Sequence, residues 1–502
     1  VIEILAASSV ALEPLAGLIV VAYLLATTLL GVWLGRGQAD HRDYFLAAHR
    51  LPTWALLISI VATETSTVTF LSVPGKSYVA GGDFTFLQIA LGYIVGRLAV
   101  IAFLLPGYFR GETLTAYQVL ERRFGVATRR LASLIFLVTR NLADGLRLFL
   151  TALALNIALG LDMLSSILIT TIATAIYSAA GGVRSVVWND CIQFGVYMLG
   201  ALAAAWMLLM QLPGGWDQLV TFAEATGRWR LFDFDPSPFK RGMTFWTGLV
   251  GGGFLSLATH GVDQLIVQRY LCARSRRAAA WALGLSGVVV LGQFALFLFI
   301  GVQLACFNSA TGGIGANVVG DQAFMTFVVR YMGVGMKGLI LAAVLSAAMS
   351  TIASSLNSSA SSLVGDWLGP RLPALSERQS LRLSRILTLV FAAIQGGVAV
   401  GAYAIALEKD RAIVDAVLTI AGFAIGLLLG LYGLGLIVPR ASQRVALAAF
   451  GIGTAVTCYT AFGTDLNGFW YTLIGSGTIV IVGLILTEIG ALSGGTLNKV
   501  LT

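Results

Sequence analysis

Charge is what this 502-residue chain has least of: Asp, Glu, Lys and Arg make up 11% of it, against 57% for the apolar set. Soluble domains run about 25% charged and 45–50% apolar, so a water-soluble globular protein is excluded. Cysteine is scarce too. Cys191, Cys272, Cys306 and Cys458 lie apart among apolar neighbours with no CxxC spacing, which excludes a disulfide framework and a cysteine zinc site. The only histidines are His41 and His49, in a loop, and His260, too few for bis-histidine haem or zinc-protease chemistry inside the apolar parts. Polar low-complexity tracts are missing as well, and with them the case for disorder.

What is there is apolar length. Mean hydropathy is +0.86, and runs near the ~20 residues that cross a bilayer recur throughout. Thirteen fall near 12–35, 52–75, 84–108, 131–158, 163–182, 186–211, 244–268, 279–306, 336–363, 384–404, 411–437, 445–463 and 469–489. Backbone polar groups in lipid must be satisfied internally, so each run is read as a helix and the chain as an all-α polytopic membrane protein. The first run lacks a basic n-region and a small-residue cleavage site, so no cleavable signal is expected.

Twenty of the 32 Lys and Arg fall in loops on one side, among them Arg36, Arg184, Arg269, Arg371 and Lys499. Nine fall on the other side, including Arg228, Lys240, Arg241 and Lys409, and Arg97, Arg140 and Arg147 lie inside runs. The positive-inside rule makes the basic side cytoplasmic, with the N-terminus outside and, after an odd number of spans, the C-terminus inside. The net charge of +8 is then a topology signal, and no nucleic-acid partner is expected. The longest outer loop, 212–243, reads as an external cover, and no soluble domain is left to carry catalysis.

Ionisable groups inside a span are expensive and mark function. Glu64 stands in Ala62-Thr63-Glu64-Thr65-Ser66-Thr67, a polar knot halfway along the second run. Two readings stay open: a carboxylate paired with an intramembrane arginine, or a ligand pocket at a broken helix. Arg140, Asp144 and Arg147, at i, i+4 and i+7, share one helix face, as a charge-paired set or a solute contact. Ser346, Ser350, Ser354, Ser358 and Ser362 recur every four residues beside Thr351. Such a stripe permits close helix packing, and its oxygens also suit a hard monovalent cation. His260 and Asp263 follow Gly251-Gly252-Gly253, where a second helix interruption is expected. Asp190, in Gly181-Gly182-Val183-Arg184 through Gln193, sits at the inner end of a span, as a helix cap or on an ion exit path.

These segments resemble the sodium/solute symporter family, which includes bacterial sodium/galactose, proline and sialic acid symporters. The resemblance runs from Asp43-Tyr44-Phe45 to about residue 440, and is most specific at Gly181 to Gln193 and at Gly338-Leu339-Ile340 through Asn357-Ser358. It implies a LeuT-type core of two inverted five-helix repeats, each opening on a broken helix, with one extra helix before and two after. The corresponding division is 1–50 for the extra helix and its loop, 51–211 and 244–440 for the repeats, 212–243 for the external loop and 441–502 for the last two helices.

The resemblance also implies Na+ as coupling ion, on backbone oxygens of Ala62, Thr65 and Ala347 and hydroxyls of Ser350 and Thr351, with Asp190 and Ser354 as a second Na+ site or exit path. One Na+ per cycle is expected, because a serine of the two-sodium relatives is Ala353 here. Solute contacts fall on Glu64, Ser66, Thr69, Phe86, Gln88, Asp144, Ser256, Thr259 and His260. The expected activity is Na+-driven uptake of a small polar solute across a plasma membrane, the bacterial inner membrane, by alternating access, not catalysis. An amino acid or other zwitterion, a sugar or a carboxylate each fits some of these residues, and a monomer is compatible with them. The alternatives are a proton-coupled carrier using Glu64 and, from another class, a membrane sensor or enzyme module.

Overall fold

The computed structural model describes residues 14–492 apart from 37, 39, 112, 238, 240, 241, 316, 317, 319, 370–374 and 408–410. Lys240, Arg241, Arg371, Lys409 and Lys499 of the charge tally lie outside the described residues, as do 1–13 and 493–502 of the terminal segments. Among the described residues every regular element is helical, and one isolated parallel bridge joins Leu51 to Ala273.

Helix α1 (Pro14–Leu34) precedes a short α2 (His41–Leu46). The second apolar run is two helices, α3 (Thr53–Glu64) and α4 (Thr67–Tyr78). Thr65 and Ser66 between them are extended, and the axes of Thr53–Glu64 and Thr69–Tyr78 differ by 64°. The polar knot therefore does break its helix. Next come α5 (Gln88–Ala99, prolonged through Val100–Leu104 and Leu105–Tyr108), α6 (Gln118–Phe124) and α7 (Val126–Leu159).

The runs at 163–182 and 186–211 form one 49-residue element, α8 (Met163–Gln211). At 1.5 Å per residue it is about 73 Å long, more than twice a bilayer core, so it cannot cross once. Gly182, at φ 52° and ψ −155°, divides it into two spans. A shorter helix, α9 (Gly215–Ala225), follows in the 212–243 loop.

The second interrupted span is α10 (Gly252–Gly261) and α11 (Gln264–Leu271), parted at Val262 and Asp263. The break begins nine residues beyond the glycine run expected to cause it. Those glycines serve packing: a Cβ on Gly92 of α5 would meet Gly248 O at 2.1 Å and Gly253 N at 2.7 Å, so α5 and α10 approach backbone to backbone. Then follow α12 (Arg276–Thr311), α13 (Gly320–Tyr331), α14 (Val334–Ser362, prolonged through Leu363–Leu368), α15 (Glu377–Leu407), α16 (Arg411–Ile437), α17 (Gln443–Gly463) and α18 (Tyr471–Leu492).

At the centre stands α14, with every residue from Ile340 to Ser362 buried. Its serines and alanines are small enough for close helix contact, and α8, α7, α1, α15 and α3 all pack on it. The two interrupted helices bring their breaks to this core.

Candidate functional site

At the first break the last carbonyls of α3 lack helical partners, and hydroxyls of α14 take them up. Ser350 Oγ donates to Ala62 O at 2.8 Å and lies 3.2 Å from Ala347 O. Thr351 Oγ1 is 3.0 Å from Thr63 O, 3.4 Å from Thr65 O and 3.4 Å from Ala347 O. All five residues expected to hold Na+ are thus together, and Thr63 O, which the resemblance did not include, joins them. Thr65 is steadied from α12, where Gln293 Nε2 donates to its hydroxyl at 2.8 Å. Hydroxyls have lone pairs to spare, so the cluster can turn from donating to carbonyls to coordinating a cation.

Glu64, the last residue of α3, takes the paired-carboxylate reading and stands at the break as well. Its partner is Arg97 of α5, whose Nη2 donates to Glu64 Oε2. Arg97 is fully buried; its Nε donates to Ser286 Oγ at 3.1 Å and its Nη1 to Tyr93 O at 3.3 Å. His260, in the last turn of α10, brings Nε2 to 3.5 Å from the same Glu64 oxygen. Sequence allowed Glu64 an intramembrane arginine partner but did not say which of Arg97, Arg140 and Arg147 it is. Ser256 donates to Tyr93 O at 3.0 Å, and Thr259 to Leu255 O at 3.0 Å. Ser66 N–H reaches Thr69 Oγ1 at 3.4 Å across the first turn of α4.

Phe86 stacks on Phe294 with ring centroids 5.9 Å apart. Gln88 is spent on the outer loop: it donates to Thr85 O at 2.9 Å and accepts from Asp233 N at 3.3 Å. Asp144 belongs to a separate network. Arg140 Nε lies 2.8 Å and Arg147 Nη1 2.5 Å from its oxygens, as their spacing predicts, and Arg140 also reaches Asp263 Oδ2 at 3.4 Å. No hydrogen bond or ion pair among the described residues joins Arg140, Asp144 or Arg147 to Glu64.

Asp190 lies within α8, fully buried, and not at a helix end. Ser59 Oγ donates to it at 2.5 Å and Arg269 Nη2 lies 3.5 Å away. Arg269 also donates to Ser354, and Ser354 Oγ is 3.2 Å from Thr63 Oγ1. Asp190 and Ser354 are brought together, then, but with a guanidinium between them. Arg269, counted from sequence as a cytoplasmic loop charge, is a 1% exposed residue of α11.

Among the described residues the fold is helical and multi-pass, and its interrupted helices meet at Glu64 and His260, beside an oxygen cage built by the first of them with α14, an arrangement suited to a secondary transporter. The sequence profile of the Sodium:solute symporter family matches residues 44–453, and the chain belongs to that family. The human sodium/iodide cotransporter is 31% identical over 459 residues, covering 88% of this chain and 69% of its own. The sodium/sialic acid symporter NanT of Aliivibrio fischeri is 30% identical over 479 residues, covering 92% and 90%. The solved structure of a Na+-coupled sialic acid symporter in a substrate-bound outward-open state aligns with a TM-score of 0.84 at 28% identity, covering 95% of this chain and 98% of that one. Mhp1, a nucleobase-cation-symport-1 family transporter, shares the fold at a TM-score of 0.58 and 14% identity.

The protein is a Na+-coupled secondary transporter of LeuT-type fold, a carrier and not an enzyme, with Na+ as its coupling ion.

Proposed function

We propose that this protein imports a small organic acid with one Na+ per cycle, N-terminus outside and C-terminus in the cytoplasm of a bacterial inner membrane. The observation that carries the reading is the cage of Ser350 and Thr351 hydroxyls on the Ala62, Thr63 and Thr65 carbonyls. An ion there ties α14 to the break between α3 and α4, so its binding and its release are coupled to the relative position of the two. The repeats are taken as 51–211 and 244–440, with the solute beside the cage against Glu64, Ser66, Thr69, Ser256, Thr259 and His260.

A single Na+ is favoured because Arg269 already supplies a positive charge between Asp190 and Ser354. A carboxylate is favoured because sialic acid symporters and sodium-coupled monocarboxylate transporters stand among the relatives. The proton-coupled alternative is disfavoured by Arg97, which holds Glu64 as an ion pair. One Na+ with a monocarboxylate anion moves no net charge, so the Na+ concentration gradient drives that uptake; with a zwitterionic acid one charge moves, and an inside-negative potential of 100 mV adds about 2.3 kcal/mol, equivalent to about a fifty-fold solute gradient.

Uptake of organic acids into proteoliposomes, driven by Na+ and by K+ gradients, tests this. Uptake should require Na+, and Ser350→Ala or Thr351→Ala should raise the half-saturating Na+ concentration by about tenfold, the equivalent of ~1.4 kcal/mol for a lost ion ligand. Uptake driven equally by K+ or by a pH gradient alone would reject the mechanism.

A further inference from the structure

One nitrogen beside the break is left without a hydrogen-bond partner. His260 Nδ1 lies 3.2 Å from Ser256 O, 3.0 Å from Thr259 Oγ1 and 3.4 Å from Ser256 Oγ. Both hydroxyls give their protons elsewhere, Thr259 to Leu255 O and Ser256 to Tyr93 O. Nδ1 is therefore ringed by acceptors and carries the imidazole hydrogen, since neutral imidazole has one N–H and one lone pair. Nε2 is left as an acceptor, and it is buried with no hydrogen-bond partner among the described residues.

None of the neighbouring charges donates to this nitrogen among the described residues. Arg97 spends Nε, Nη1 and Nη2 on Ser286, Tyr93 O and Glu64, and is fully buried. No face of its guanidinium is open to a solute carboxylate. Glu64, in contrast, keeps 19% of its side chain exposed. The accessible part of the cluster is thus an acceptor with a second acceptor, Nε2, 3.5 Å behind it. Two acceptors at that separation can share one donor atom about 2.9 Å from each, and a buried acceptor gains free energy by meeting a donor.

From these contacts we propose that His260 Nε2 and Glu64 form a seat for a hydrogen-bond donor on the solute, an ammonium or a hydroxyl group, so that the transported acid is an amino acid or a hydroxy acid. This rests on the carboxylate reading above and narrows it. A bare anion or an unsubstituted short carboxylate brings only lone pairs to a face that already presents them.

Propionate, lactate and alanine differ at one position, where they carry hydrogen, hydroxyl and ammonium. The purified full chain is melted against each of them, and against the uncharged polyol myo-inositol, in Na+ and in K+. Ligand binding to the native state raises the melting temperature by mass action. In Na+, lactate or alanine should act at concentrations about tenfold or more below propionate. The gap should close in His260→Phe and in Glu64→Gln, and the comparison on the unsubstituted protein stands even where a variant fails to fold.

Propionate matching lactate and alanine would overturn the donor seat and leave the carboxylate reading intact. A Na+-dependent shift with myo-inositol and none with the three acids would overturn the carboxylate reading and support the seat. A gap that persists unchanged in both variants, or no shift with any of the four compounds, would overturn the assignment.

Discussion

Three consecutive residues without glycine's freedom, Ala47, Ala48 and His49, have φ of 47°, 49° and 53° in the turn between α2 and α3. A left-handed conformation costs an L-residue roughly 1–2 kcal/mol, and glycine avoids most of that while losing more entropy on folding. Ala48→Gly should therefore stabilise the protein by up to about 1 kcal/mol, read as a higher melting temperature with Na+ uptake retained. What sequence shows at this scale depends on separation along the chain. Arg140, Asp144 and Arg147 pair as their spacing requires, because i, i+3 and i+4 neighbours share a helix face. Arg97 meets Glu64 from 33 residues away, and Arg269 of α11 meets Asp190 of α8. No periodicity encodes such pairs; they arise when tertiary packing brings long arginine side chains on α5 and α11 within reach of carboxylates on α3 and α8.

Among whole elements, α8 has a single residue on which its division depends. A Cβ on Gly182 would stand 2.3 Å from Tyr44 O and 2.8 Å from the Tyr44 ring, at a φ of 52°. Gly182→Ala should cost about 2 kcal/mol or more, from backbone strain and a clash with α2 together. The measurement is a lower melting temperature, and an unchanged one would mean that the bend is set elsewhere. Element boundaries were legible where polarity interrupts an apolar run, as at Glu64-Thr65-Ser66. They were not legible at Val262-Asp263, where Asp263 caps α11 by accepting from Leu265 N at 2.9 Å. A short Asx cap gives little signal beside a triple glycine, and the glycines are there for contact between α5 and α10 rather than for a break.

Across the whole molecule, two arginines tie separate elements together at opposite ends of the interrupted helices. Arg228, in the outer loop, donates to the carbonyls of Ser77, Val79 and Gly82 at the end of α4. Arg269 of α11 joins Ser59 of α3, Asp190 of α8 and Ser354 of α14, linking four elements beside the oxygen cage, on the side that the orientation proposed above makes cytoplasmic. Release of the ion toward the cytoplasm requires those elements to part, so loosening this junction should favour the inward-open form. Arg269→Gln alone leaves Asp190 buried and uncompensated, at a cost of about 3–5 kcal/mol, whereas Arg269→Gln with Asp190→Asn removes both charges. Cys272, fully buried three residues after Arg269, reports the opening. In the double variant its labelling by a thiol reagent should become several-fold faster than in the unsubstituted protein, and Na+, by holding α14 to the α3 break, should slow it in both. Equal labelling rates in the two proteins would show that the Arg269 junction does not hold the inner side closed, and a rate indifferent to Na+ would separate the cage from that closure.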